Sequence, residues 1–163
     1  MIERSDARVP LLEVRGVTRR FGKGENQVLA LRGADLSVYP RRLIALRGRS
    51  GSGKTTLLNL MAALDAPTEG RIYYGGRDGS KMSEQEKNEM RRTEMGLIFQ
   101  SYALVPYMTA YENVEFSLRN SRIPPKEWKQ RVEETLAFVG LSERMHHYPP
   151  ELSGGEQQRT AIA

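Results

Sequence analysis

Apolar residues along this chain fall into short blocks with two different spacings. Residues 11–18, Leu-Leu-Glu-Val-Arg-Gly-Val-Thr, roughly alternate, which predicts a strand. Residues 27–31 and 34–39 predict two further short strands, with Arg32-Gly33 between them and turns at 19–26 and 40–42. Leu43-Ile44-Ala45-Leu46 is an unbroken apolar run, the pattern of a buried strand in a parallel sheet. From Thr56 to Leu64 the chain reads as a buried helix, which stops near Asp65-Ala66-Pro67-Thr68. Residues 70–76 predict a strand running into a turn.

The second half is mostly helical in pattern. Ser83-Glu84-Gln85-Glu86 is a capping box opening a polar helix to about Arg92, and Thr109-Ala110-Tyr111-Glu112 opens another to about Asn120. Pro124-Pro125 starts a third helix, with Val132, Leu136 and Val139 on one face and Gly140 as its stop. Gly96-Leu97-Ile98-Phe99-Gln100 reads as a short buried strand ending in a glutamine, followed by an apolar loop over 102–108. Ser142 to His146 reads as one more turn, and Pro149-Pro150-Glu151 as a loop.

Between the apolar strand and the first helix stands Gly48-Arg49-Ser50-Gly51-Ser52-Gly53-Lys54-Thr55, which has the form G-x-x-x-x-G-K-[ST] of a P-loop. Strand, glycine-rich turn and helix is the context this motif requires. Gly48, Gly51 and Gly53 let the backbone curl around an anion. The loop and helix N–H groups then face phosphates, Lys54 supplies a compact positive charge, and Thr55 offers a hydroxyl to Mg²⁺. Thr56 completes the phosphate-facing set.

Composition adds bounds. The chain has 163 residues, 39% hydrophobic and 28% charged, in the range of globular proteins. There is no cysteine, so disulfides and thiolate chemistry are excluded. No apolar run approaches a membrane span, and no signal peptide opens the chain. Residues 1–54 hold 12 Lys/Arg against 5 Asp/Glu, and residues 55–163 hold 13 against 15. Steering of a polyanion such as a nucleotide and a plain solvated basic face are two readings of that imbalance. No arginine stripe interleaved with aromatics points to nucleic acid. His146 and His147 are adjacent without companion ligands, so a metal role is not expected.

Leu152-Ser153-Gly154-Gly155-Glu156-Gln157-Gln158-Arg159 is the second motif. Ser153 and Glu156 form a capping box, and Gly154 and Gly155 permit close backbone approach at a helix N-terminus. With the P-loop upstream and Gln100 between, the octapeptide resembles the signature of ABC transporter ATPase domains, over nearly the whole chain from about Leu11.

The resemblance implies an α/β fold of the P-loop NTPase class, with an antiparallel β layer, a partial parallel core sheet and a helical subdomain. It implies one partial nucleotide-binding domain over 1–163, with the P-loop core and β layer at 11–80 and the mainly helical part with the signature at 81–163. It implies an ATP-binding, ATPase component using ATP and Mg²⁺. Nucleotide would be held by Gly48, Arg49, Ser50, Gly51, Ser52, Gly53, Lys54, Thr55 and Thr56, with Phe21 stacking on adenine, although a core or turn aromatic is an equal reading of Phe21. Arg49 replaces a proline often found there. Metal contacts would come from Thr55 and Gln100, the latter also positioning water. Ser153, Gly154, Gly155 and Glu156 would act in trans on the nucleotide of a second copy packed head to tail.

The further partner implied is an integral membrane permease, with the domain peripheral on the cytoplasmic face and no nucleic acid expected. The permease would choose the transported substrate. The apolar loop after Gln100 would receive a coupling helix of that permease, local packing being the other reading of that loop. The run 96–109 with Glu112-Asn113-Val114 looks most like the branch that releases lipoproteins or exports macrolides and peptides. No Asp-Glu pair follows the signature. The sequence is therefore expected to be the first two-thirds of the domain, binding nucleotide without turning it over alone. A soluble P-loop or ABC-type ATPase acting on nucleic acid or ribosomes, and a non-catalytic interaction fragment, are the alternatives.

Overall fold

The computed structural model describes residues 9–163. The chain forms two compact units, one up to Arg91 and one from Arg92 to Ala163.

In the first unit, strands β1 (Leu12–Phe21), β2 (Val28–Val38), β3 (Glu69–Tyr74) and β4 (Arg77–Asp78) make an antiparallel sheet in the order β2-β1-β3-β4. Alternation in β1 puts Leu12, Val14 and Val17 into the core with Leu31, Leu60, Ile72 and Tyr74. β1 runs on through Arg19, Arg20 and Phe21, which had read as a turn, because Phe21 pairs with Val28 across the hairpin. β2 is likewise one strand rather than two. Arg32-Gly33 is a bulge within it: Val17 pairs with Ala34 and Arg19 with Leu31, so β2 carries an extra residue there. The Thr18 hydroxyl accepts the Gly33 N–H at 3.1 Å and ties the bulge down. A second bulge at Gly16 lies against Gly70 of β3, where a Cβ would meet the Gly16 carbonyl oxygen at 2.4 Å. Only glycine, here with φ +82°, permits that approach.

Helix α1 (Lys54–Met61) follows the glycine-rich loop and packs on β1 and β2, burying Leu60. It ends earlier than its apolar pattern predicts. Ala63 turns into the left-handed region at φ +53°, and the Arg91 guanidinium donates to its carbonyl. Helix α2 (Glu84–Thr93) opens on the expected cap: the Ser83 N–H donates to Glu86 at 2.7 Å.

Two strand expectations are corrected. Leu43-Ile44-Ala45-Leu46 and Gly96-Leu97-Ile98-Phe99 form no ladder, and Leu43 is 99% exposed. Gln100 is an exposed turn residue rather than the end of a buried strand. An apolar run becomes a strand only where a neighbour accepts from its N–H groups and donates to its C=O groups, and no described segment pairs with either run. The sheet of the described residues is accordingly antiparallel throughout.

The second unit holds α3 (Ala110–Arg119), α4 (Pro125–Phe138) and α5 (Gly154–Ile162). α3 packs on α4 and α5, around a core of Ala110, Val114, Val132, Leu136, Leu141 and Leu152. α3 begins on the predicted Thr109/Glu112 capping box, and α4 begins at Pro125. Gly140, at φ +72°, takes the left-handed residue beyond α4, where the Leu141 N–H returns to the Leu136 carbonyl at 2.8 Å.

Candidate functional site

The glycine-rich loop builds a cradle from its own backbone. Gly53 stands at the N-cap of α1 in the left-handed region, and no side chain caps the helix, so its first N–H groups are open. Gly53 abuts β2: a Cβ there would meet the Ala30 carbonyl oxygen at 2.5 Å and Leu31 at 2.8 Å. The loop is thus pressed onto the sheet, and any side chain at 53 would push it off. The Ser52 N–H donates to the Arg49 carbonyl at 3.2 Å and closes the turn.

Lys54 folds back over this turn. Its ammonium donates to the carbonyls of Gly48 and Arg49, both at 2.8 Å, and to the Ser52 hydroxyl at 3.3 Å. It has no carboxylate partner among the described residues. A half-buried cation held by neutral acceptors above open helix amides attracts a polyanion. Thr55 is exposed in the first turn, where a hydroxyl can reach a metal, and Thr56 is half-buried. The donor set fits a metal-bound phosphate chain. Ser50 and Arg49 are exposed.

Phe21 ends β1 and is 42% exposed, so it is not a core aromatic. One face of its ring carries the Arg19 guanidinium, 4.6 Å from the centroid, and Arg19 is itself paired with Asp65 at 2.8 Å. Phe21 and the loop touch the same strand, since Phe21 pairs with Val28 and Gly53 abuts Ala30 and Leu31.

In the second unit the predicted capping box forms at α5. The Ser153 N–H and hydroxyl both donate to one Glu156 oxygen at 2.8 Å, and the Glu156 N–H donates back to the Ser153 hydroxyl oxygen at 3.3 Å. These donors, with Arg144 at 3.3 Å, hold the Glu156 carboxyl below the usual carboxylate range. Gly154 and Gly155 are exposed, and beyond the helix's own backbone a Cβ there would come no nearer than 3.9 Å to the Tyr102 hydroxyl and 3.6 Å to Arg159 Nη1.

A family model described as ABC transporter matches residues 31–163, which includes both motifs. The chain belongs to the ABC transporter family. Among relatives of this ABC protein, the macrolide export ATP-binding/permease protein MacB of Marinobacter nauticus is 46% identical over 154 residues, covering 94% of this chain and 24% of that protein. An uncharacterized ABC transporter ATP-binding protein of Thermotoga maritima is 42% identical over 94% of this chain and 65% of its own length. The chain thus spans about a quarter of the MacB relative. A solved dimeric structure of a bacterial ABC transporter cassette superposes with a TM-score of 0.85 at 35% identity, over 93% of this chain and 67% of that one. A post-hydrolysis state of the same cassette, bound to ADP and Pi, superposes at 0.84. The fold of this ABC chain is therefore that of the P-loop NTPase class.

Two residues of the ABC chain acquire roles that sequence reasoning missed. Asn113, on α3, accepts the Val105 N–H at 2.8 Å and donates to the carbonyls of Val105, Met108 and Thr109, clamping the loop after Gln100. Tyr107 projects from that loop, 78% exposed. Arg144 reaches Glu156 from outside its helix. An asparagine four residues past a threonine cap was a weak local signal for the first. Nothing local could have signalled the second, whose partner lies 12 residues away.

Proposed function

We propose that this chain is the nucleotide-binding part of an ABC-type transport ATPase, holding ATP with Mg²⁺ through residues 48–56. The observation that carries this reading is the Lys54 ammonium, held by the Gly48 and Arg49 carbonyls above uncapped helix amides and paired with no carboxylate among the described residues. Lys54 and the loop N–H groups bind and orient the phosphate chain. Gly48, Gly51 and Gly53 allow its approach, and Arg49, Ser50 and Ser52 shape the turn. Thr55 would hold the metal, with Gln100 as a second contact and a positioner of water. When bound, Mg²⁺ supplies charge neutralisation on the phosphates. Phe21 offers the free face of its ring to the base.

Ser153, Gly154, Gly155 and Glu156 serve the nucleotide of a second copy, packed head to tail. On this reading the loop clamped by Asn113, with Tyr107 at its surface, is the contact for a membrane permease, and the domain is a peripheral subunit on the cytoplasmic side. No helix among the described residues is long and apolar enough to cross a membrane itself. The macrolide-export name of several relatives supports export as the transport class; extrusion of lipids, lipoproteins or peptides is the wider form of the same reading.

Calorimetric titration with Mg-ATP tests the core of this reading. Lys54→Ala is expected to weaken binding by about 1.5–3 kcal/mol, the worth of a charge-assisted hydrogen bond. Equal affinity with and without Lys54 would sink the assignment.

A further inference from the structure

Glu156 is held from two sides. One oxygen takes the Ser153 N–H and hydroxyl, as any capping-box glutamate would; the other takes the Arg144 Nε–H at 3.3 Å. Arg144 ends a 3-10 turn, Ser142–Arg144, which packs on α4. The segment after it is braced, because the Met145 carbonyl accepts the Tyr111 N–H and the His147 carbonyl accepts the Ala110 N–H, both at 2.9 Å. Arg144 Nη1 also lies 3.2 Å from His147 Nε2. Arg144 is thus a cation on a fixed strut, aimed at the carboxylate that occupies the serine of the signature.

That carboxylate creates a difficulty for phosphate binding. The Ser153 proton is committed to Glu156, and a carboxylate beside Ser153 repels an incoming phosphate. The hydroxyl must turn its proton outward while Glu156 stays on the Ser153 N–H and keeps the helix capped.

We propose that Arg144 is a positioning residue for the signature serine: it holds and neutralises Glu156, so that the Ser153 hydroxyl can turn from the carboxylate to a phosphate oxygen. No covalent bond changes; the serine proton only changes its acceptor. The proposal rests on the reading that the signature meets the nucleotide of a second copy, and it adds a residue outside the octapeptide to that contact.

The test compares two measurements on the chain with Mg-ATP. One is binding of a fluorescent ATP analogue at dilution, where copies stay apart. The other is ATP-driven association by sedimentation velocity over a concentration series. Arg144→Gln is expected to bind the analogue as the wild type does and to associate about tenfold more weakly. Arg144→Lys, which keeps the charge, recovers most of that loss. In a Glu156→Gln background, where no charge needs neutralising, Arg144→Gln should cost less than about twofold.

Wild-type association by Arg144→Gln overturns the proposal, and so does a full tenfold loss that persists in the Glu156→Gln background. A parallel fall in analogue affinity and melting temperature assigns Arg144 to the fold and overturns it too. A wild-type chain that binds ATP and stays monomeric removes the head-to-tail reading, and the proposal with it. Association that ignores Arg144 removes the proposal alone.

Discussion

Tyr74 shows how one buried side chain carries both packing and chemistry. Its ring is in the core of the first unit, and its hydroxyl donates to the Leu60 carbonyl at 3.1 Å, joining β3 to the end of α1. Burial pushes its ionisation up to about 12 from the ordinary 10.0. Only the neutral phenol can donate this hydrogen bond. A raised folded pKa means that the contribution is fully present below pH 10.0 and is lost as pH rises toward about 12. Urea unfolding of the wild type should therefore weaken across that window. Tyr74→Phe is expected to be less stable by about 1 kcal/mol at neutral pH, with a flatter alkaline limb. An unchanged alkaline limb would mean that Tyr74 does not set it.

At the scale of elements, the helices begin where their caps place them and the loops are held by side chains from those helices. Ser83, Thr109 and Ser153 each pair with the acidic residue three positions on. Asn113 uses the first turns of α3 as a platform for the segment from Val105 to Thr109. Asn113→Ala removes the acceptor of the Val105 N–H and the donor for the carbonyls of Val105, Met108 and Thr109. Amide exchange at Val105 should accelerate sharply while the middle of α3 keeps its protection, and stability should fall by about 1–3 kcal/mol. Exchange that rises equally along α3 would show that the asparagine supports the helix rather than the loop.

For the molecule as a whole, the apolar segments that found no ladder have a consequence. Leu43, Ile44, Leu97, Ile98 and Phe99 are exposed in segments that join no sheet of the described residues. Exposed apolar segments outside any ladder favour association. Light scattering of the nucleotide-free chain should show concentration-dependent self-association, and Leu43→Lys should reduce it. A monodisperse monomer with a sharp two-state urea transition would show that these segments are covered in solution.

The sequence by itself determined whatever depends on neighbours a few residues apart. The P-loop, the three capping boxes, the proline start and glycine stop of α4, and the signature all rest on local geometry, and all were legible. So was the family, because the P-loop and the signature at that separation are specific to it. Tertiary structure decided what depends on a partner distant in sequence. Leu43-Ile44-Ala45-Leu46 has the composition of a strand, but strand formation is a property of a pair, and no described segment pairs with it. Arg32-Gly33 looked like a break until the register against β1 made it a bulge. Gly70 is required by the backbone at Gly16, and Arg144 acquires its role from Glu156, contacts that only the folded chain creates.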